Sequence, residues 1–286
     1  MVTEIEKGTL YLVGTPIGNL EDITMRAIST LQMVDLVAAE DTRHTIKLFN
    51  HFKIQTELTS YHEHNKISKG PKLVEMLKEG KSIALVSDAG MPGISDPGTD
   101  LVEEVVKQGL KIVPIPGPSA GITALVASGL RTDKFTFFGF LDRDKKARRG
   151  QVEEIKAERS TLVLYEAPHR LKATLKDLGE ALSCDRKVVV ARELTKKYEE
   201  FVRGTIEEVN QHFQNNEVKG EFVILIEGNK EEVIDHKWWS TMSIVEHTES
   251  LMKQGLSNKE AMKQVALQRG ISKREVYQSL LEVKNG

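Results

Sequence analysis

Cysteine is almost missing from this sequence: Cys184 stands alone among 286 residues. One thiol cannot cross-link within the chain or build a thiolate zinc cluster, so the fold must rest on its hydrophobic core, and a reducing, cytoplasmic compartment is expected. Long apolar runs are lacking as well. Nothing approaches the ~18 residues of a membrane span, and Met1-Val2-Thr3-Glu4-Ile5-Glu6-Lys7 has no signal-peptide core. An excess of positive charge is also absent, the formal balance being −2. That removes any global attraction to nucleic acid and leaves polyanion binding to local patches. Arg143 to Arg149 packs five bases against one acid, and Lys253 to Gly286 holds seven Lys or Arg against three Glu. Each reads at least as well as a solvated surface.

Two common signatures are missing too. No G-x-G-x-x-G follows the first apolar run and no G-x-x-x-x-G-K-[ST] occurs, so NAD and ATP are not the expected ligands. His62-Glu63-His64 is the one dense group of potential metal ligands. It reads better as a polar loop, and no metal is expected.

What is present is a set of loops. Leu10-Tyr11-Leu12-Val13 breaks into Gly14-Thr15-Pro16-Ile17-Gly18-Asn19-Leu20, and Ile83-Ala84-Leu85-Val86 breaks into a Gly- and Pro-rich loop from Ser87 to Gly98. Ile112-Val113-Pro114-Ile115 runs into Pro116-Gly117-Pro118-Ser119-Ala120. Short runs of Val, Ile and Leu read as buried strands, and ligands of open α/β sheets bind beyond the carboxyl ends of such strands. The three loops are therefore expected to share one largely pre-formed site.

Organisation along the chain follows from the same patterning. Up to about residue 117, strand and helix signals alternate, which implies right-handed crossovers and a parallel sheet. From 118 to 230 the later strands follow closely, with one intervening helix near Ile206 to Phe213, which implies a mixed sheet. Residues 231–286 read as helical. Ser257-Asn258-Lys259-Glu260 and Ser272-Lys273-Arg274-Glu275 both match the capping box. The helices joined across Arg269-Gly270-Ile271 resemble a helix-turn-helix that presents Lys273 and Arg274, or a packed hairpin. The expected class is α/β, with two such domains and a small helical appendage.

Carboxylates gather at the strand ends. Glu40 and Asp41 follow Leu36 to Ala39, while Asp88 and Asp96 sit in the longest loop. Asp41 also reads as a helix cap and Asp96 as a turn residue. Carboxylates with loop carbonyls suit a ligand bearing hydroxyls, an amino group and a cationic centre. S-adenosylmethionine has those groups.

At this point the blocks become recognisable. Gly8 to Leu20, Ala39-Glu40-Asp41-Thr42-Arg43-His44-Thr45, Ser60-Tyr61-His62-Glu63-His64-Asn65, Ser87 to Gly98 and Pro116 to Ala120 resemble, in this order, the ribosomal RNA small subunit methyltransferase I family. So do Tyr165-Glu166-Ala167-Pro168-His169-Arg170-Leu171, Arg192-Glu193-Leu194-Thr195-Lys196 and Gly220-Glu221-Phe222-Val223. That family belongs to the tetrapyrrole methylase superfamily, the class III methyltransferases.

The resemblance implies a cleft between two α/β domains and methyl transfer from S-adenosylmethionine to the ribose 2′-oxygen of a decoding-centre cytidine in 16S RNA. It further implies a homodimer. Implied cofactor contacts are Pro16, Asp88, Ala89, Gly90, Met91, Ser95, Ser119 and Ala120, joined by Tyr165, Glu166, Arg192 and Gly220. Glu40, Asp41 and His44 stand unranked as general base, and Arg43, Tyr61, His62, His64, Arg170 and Lys196 as contacts to the RNA. Four positions depart from the family pattern: Gly14 where Ala is usual, Met91 for Thr, Asp142 for Pro and Ala167 for Ser. The competing readings are a tetrapyrrole-type small-molecule methyltransferase and a non-catalytic nucleic-acid-binding protein.

Overall fold

The computed structural model describes residues 4–230, 239 and 241–284. Its first sheet comprises β1 (Thr9–Val13), β2 (Leu36–Ala39), β3 (Leu58–Ser60), β4 (Ile83–Val86) and β5 (Lys111–Ile115). The order is β3-β2-β4-β1-β5, and every pairing is parallel. Period-2 alternation sends Tyr11, Val37 and Ala84 to one face and Leu10, Ala38 and Leu85 to the other. On the first face they meet α1 (Met25–Met33) and α2 (Thr42–Phe52), and on the second α3 (Lys66–Lys78) and α4 (Gly98–Lys107). Burial on both faces explains why these strands read as continuous apolar runs. The exceptions are the two edge strands: β3, a half-buried Leu-Thr-Ser segment that hydrophobicity does not mark, and β5, in which only Ile115 is buried.

The second sheet is mixed, as its strand spacing implies. It contains β6 (Phe135–Phe140), β7 (Thr161–Glu166), β8 (Lys187–Arg192), β9 (Glu200–Thr205) and β10 (Phe222–Ile226), in the order β6-β7-β10-β8-β9. Only the β6–β7 pair is parallel. One face packs on α6 (Lys145–Ala157), α7 (Pro168–Ala181) and α8 (Ile206–Asn215), and the other on α5 (Ala120–Ser128) with Ile17 and Leu194. Sequence patterning finds α8 and overlooks α6 and α7. For α7 the signal was present, because Leu171, Leu175 and Leu178 repeat at helical spacing behind Pro168. Residues up to Asn229 form one compact unit.

The second unit contains α9 (Ile244–Lys253), α10 (Asn258–Arg269) and α11 (Lys273–Lys284) around a small core of Leu251, Ala261, Val265, Ala266 and Val276. Both expected capping boxes form, and a third joins Ser243 to Glu246. Gly270 at φ +66° turns the chain between α10 and α11. His247 is buried against Trp239, and its Nδ1 accepts a hydrogen bond from Arg269 Nε at 3.1 Å. Arg269 is thereby spent inside this unit, while Lys273 and Arg274 are exposed. Residues 231–238, 240 and 285–286 of the expected appendage lie outside the described residues. Ser257→Ala, which removes one cap, is expected to destabilise this unit by about 1 kcal/mol in urea unfolding.

Candidate active site

The loops that leave β1, β4 and β5 are tied together through their backbones. Thr15 N donates to Gly90 O at 2.9 Å and Gly90 N returns the bond to Thr15 O at 3.1 Å, while Thr15 Oγ1 lies 3.3 Å from Ser87 O. The β1 and β5 loops cross at Gly14 and Gly117, where a Cβ on either residue would stand 2.7 Å from the other's Cα. Only glycine admits that approach. Met91 Sδ also lies 2.7 Å from the point a Cβ at position 14 would occupy, so the methionine side chain fills the space beside Gly14.

Asp96 holds the longest loop rather than facing a ligand freely. Its carboxylate accepts from Gly93 N at 2.9 Å and from Gly98 N at 2.7 Å. Ser95 beside it takes φ +62°, a left-handed strain of the kind that gathers at binding sites.

These loops bound a cavity of about 460 Å³, within the size range of small-molecule sites. Asp88, Ala89, Gly90, Met91, Ser95, Ser119, Ala120, Tyr165 and Glu166 line it, all expected cofactor contacts. Pro16 does not; it lines a neighbouring cavity of about 150 Å³ with His44, Lys47 and Asp88. Arg192 and Gly220 line neither cavity. Arg192 Nε is occupied by Lys219 O at 2.8 Å, and Gly220 packs on Glu193. Ile17, Phe140, Leu194, Phe222 and Val223 add an apolar wall that sequence reasoning did not identify.

The three carboxyl or imidazole candidates separate by environment. Glu40 lines the larger cavity half-buried, and burial, followed by the charges of Asp88 and Asp96, raises its pKa above the ordinary carboxylate value. Asp41 is the helix cap its position suggested. It accepts from Arg43 N at 2.8 Å and grips the Arg43 guanidinium at 2.6 Å, contacts that hold its carboxyl well below the usual range. His44 Nδ1 stands 3.5 Å from Asp88 Oδ2 in the smaller cavity.

Most of the expected RNA contacts are engaged elsewhere. Tyr61 cannot stack on a base, because its N–H continues the sheet onto Ala39 O and its ring is buried in the core at 2% exposure. His62 is half-buried and its Nε2 lies 3.3 Å from Asn65 Nδ2, whereas His64 is exposed. The Arg170 guanidinium donates to Leu141 O at 2.6 Å and Asp142 O at 3.2 Å and pairs with Glu166 at 3.4 Å. Lys196 bridges Glu193 and Glu221. Arg43 is exposed but paired with Asp41.

On the second-sheet side, Tyr165 Oη accepts from Gly121 N at 3.1 Å, and Phe137 and Phe140 meet the Tyr165 ring edge-on. Glu166 is almost fully buried and accepts from Ala167 N and Thr174 Oγ1. The motif reading counts the G-x-S-x-G pattern of hydrolase elbows as missing, yet Gly117-Pro118-Ser119-Ala120-Gly121 spells it. Among the described residues no histidine lines the cavity beside Ser119, so the pattern has no base there. Among the described residues, no group of three His, Cys, Asp or Glu side chains could hold a metal ion.

Comparison with known proteins gives a consistent set of relatives. The family model described as Tetrapyrrole (Corrin/Porphyrin) Methylases matches residues 9–210. The ribosomal RNA small subunit methyltransferase I of Halalkalibacterium halodurans is 55% identical over 273 residues, covering 95% of this chain and 94% of the relative. That of Bacillus subtilis is 52% identical over 274 residues, with the same coverage of 95% and 94%. Among solved structures, a cobalt precorrin-4 methyltransferase aligns with a TM-score of 0.59 at 20% identity, over 77% of this chain and 95% of that one. At that identity the likeness speaks for the fold.

Proposed function

The chain belongs to the ribosomal RNA small subunit methyltransferase I family, within the tetrapyrrole methylases, and from that premise we propose that it methylates the ribose 2′-oxygen of a decoding-centre cytidine in 16S RNA, using S-adenosylmethionine. The observation that carries the reading is Glu40, a half-buried carboxylate of raised pKa on the wall of a cavity of about 460 Å³. The donor set suits the cofactor. Asp88 and loop carbonyls are available to an amino group and ribose hydroxyls, Ile17, Met91, Leu194 and Val223 to flat apolar surface, and no phosphate nest is needed. When bound, S-adenosylmethionine supplies an electrophilic methyl group.

The residues supply position and a proton acceptor. Glu40, kept basic by burial and by Asp88 and Asp96, takes the proton of the attacking hydroxyl. Asp88 borders both cavities, so a nucleotide seated by His44 and Lys47 in the smaller one meets the larger one there. The stitched loops keep these groups fixed before binding, which is where most of the acceleration of a simple group transfer arises. On this reading the enzyme works in the cytoplasm on small ribosomal subunits.

We further propose that it does so as a homodimer. Phe135 and Phe137 on the β6 edge and Ile122 and Val126 on α5 are exposed, and Phe137 connects to α5 through Tyr165 and Gly121. Such an apolar strip suits a two-fold contact with a second copy. Light scattering is expected to give twice the chain mass of 32.1 kDa, and Phe135→Glu with Val126→Glu to return the monomer.

The function itself is tested by methyl transfer from labelled S-adenosylmethionine to small subunits lacking the modification, with nuclease digestion and mass spectrometry. The expected product is 2′-O-methylcytidine. Label on a base, or no label despite cofactor binding, overturns the assignment.

A further inference from the structure

We propose that Arg143, Lys145, Lys146 and Arg149 form a docking surface for the phosphate backbone of the RNA, at the rim of the cleft. The inference rests on the methyltransferase reading above and adds the place where the substrate is held. All four side chains are exposed, and none has a carboxylate partner among the described residues. Arg148, in the middle of the run, turns inward and pairs with Asp177 at 2.7 Å, so it belongs to the fold and not to the surface.

The two acids of the segment form no ion pair with these cations. Asp142 Oδ1 accepts from Asp144 N at 2.8 Å, and Asp144 Oδ1 accepts from Lys146 N and Ala147 N. Both carboxylates are therefore turned onto backbone N–H groups. Four of the first five residues of α6 are cations, and behind the Asp144 cap its first turn carries no acid, although the helix macrodipole disfavours positive charge there. Gly150 follows them with nothing near its Cα to require glycine. A local arrangement that opposes stability marks a place where something else is served. A polyanion is the partner that four unpaired cations fit.

The surface is fixed to the cavity by covalent and hydrogen-bonded links. Phe140 lines the cavity, and Leu141 and Asp142, which follow it, are held by the Arg170 guanidinium through their carbonyls. Arg170 in turn pairs with Glu166 on the cavity wall, and Gln151 of α6 accepts from Asp142 N at 2.8 Å. The basic segment thus begins three residues beyond the cavity wall, close enough for phosphates flanking a nucleotide in the cleft.

The test compares Lys145→Ala/Lys146→Ala/Arg149→Ala with an equal charge loss elsewhere, Lys72→Ala/Lys78→Ala/Lys107→Ala on α3 and α4. Affinity for small subunits is measured from low to moderate salt, alongside S-adenosylmethionine binding and far-UV circular dichroism. Removing the α6 cations is expected to weaken subunit binding by on the order of tenfold or more and to flatten the log–log salt slope by about 2–3, with cofactor affinity and helix content kept. The control on α3 and α4 is expected to leave the slope in place. If both variants bind subunits with native affinity and slope, the docking surface is overturned and the methyltransferase reading stands. If the native chain itself fails to bind subunits, the RNA reading falls and the surface falls with it.

Discussion

Glu40→Gln is expected to lower kcat by about 10²–10⁴-fold, the range a positioned general base contributes, while leaving S-adenosylmethionine binding nearly intact. The same substitution is expected to stabilise the fold at neutral pH. Burial and the neighbouring Asp88 and Asp96 raise the Glu40 pKa in the folded chain. Between the ordinary carboxylate value and that raised value the native state holds the proton more tightly than the unfolded chain, so stability falls as pH rises through the window. Above it, the native protein carries a charge its surroundings disfavour, and a neutral amide of the same shape removes that cost. Activity and stability should therefore move in opposite directions, measured by single-turnover transfer and by urea unfolding at pH 7. The wild-type rate should fall as pH drops through the raised Glu40 value, and the variant should lose that dependence. Native kcat in Glu40→Gln would assign the proton to another group, with His44 and Asp88 the next to test.

Gly117→Ala is the second large effect, and it acts through backbone alone. A methyl group there meets Gly14 Cα at 2.7 Å, its carbonyl carbon at 2.9 Å and its oxygen at 3.0 Å. None of these is the end of a flexible side chain, so the β1 and β5 loops must separate. Overpacking of this kind costs about 1–3 kcal/mol of stability. The separation also pulls at the Thr15–Gly90 bridge, which shapes the cavity floor. Urea unfolding should show the loss, and calorimetry a weakening of S-adenosylmethionine binding by on the order of tenfold. Met91→Thr does not rescue it, because the obstruction is backbone. A variant that binds the cofactor like the native chain would remove the β5 loop from the site.

The half of the site built on the first sheet was legible in the sequence, and the reason is local. Each binding loop directly follows a parallel strand of the first sheet, so apolar run and loop are contiguous in the chain. The other half is assembled by pairing at a distance. Phe222 enters the cavity wall because β10 lies between β7 and β8, opposite Glu166 on one side and Arg192 on the other. No spacing along the chain encodes that neighbourhood. Arg170 and Lys196 were expected at the RNA and Arg192 at the cofactor, because sequence does not reveal which carbonyls and carboxylates will surround them. Tyr61 misled in a different way: its neighbours are polar, yet the backbone bond from its N–H to Ala39 O turns the ring inward. The position of α6 was obscured by its composition, since only Val152 and Ile155 are buried in thirteen residues.

The place of β1 within its sheet also bears on how the chain is made. It lies between β4 and β5, so β1 finds its two partners only after Val86 and then Ile115 have been added. At elongation rates of about 5–20 residues per second the wait is roughly 5–20 s, during which Leu10, Tyr11, Leu12 and Val13 have no complete sheet to join. Pairings across such sequence separations are slow to close. Slower translation between positions 14 and 111 would lengthen the time these residues spend unpaired while leaving the finished fold unchanged.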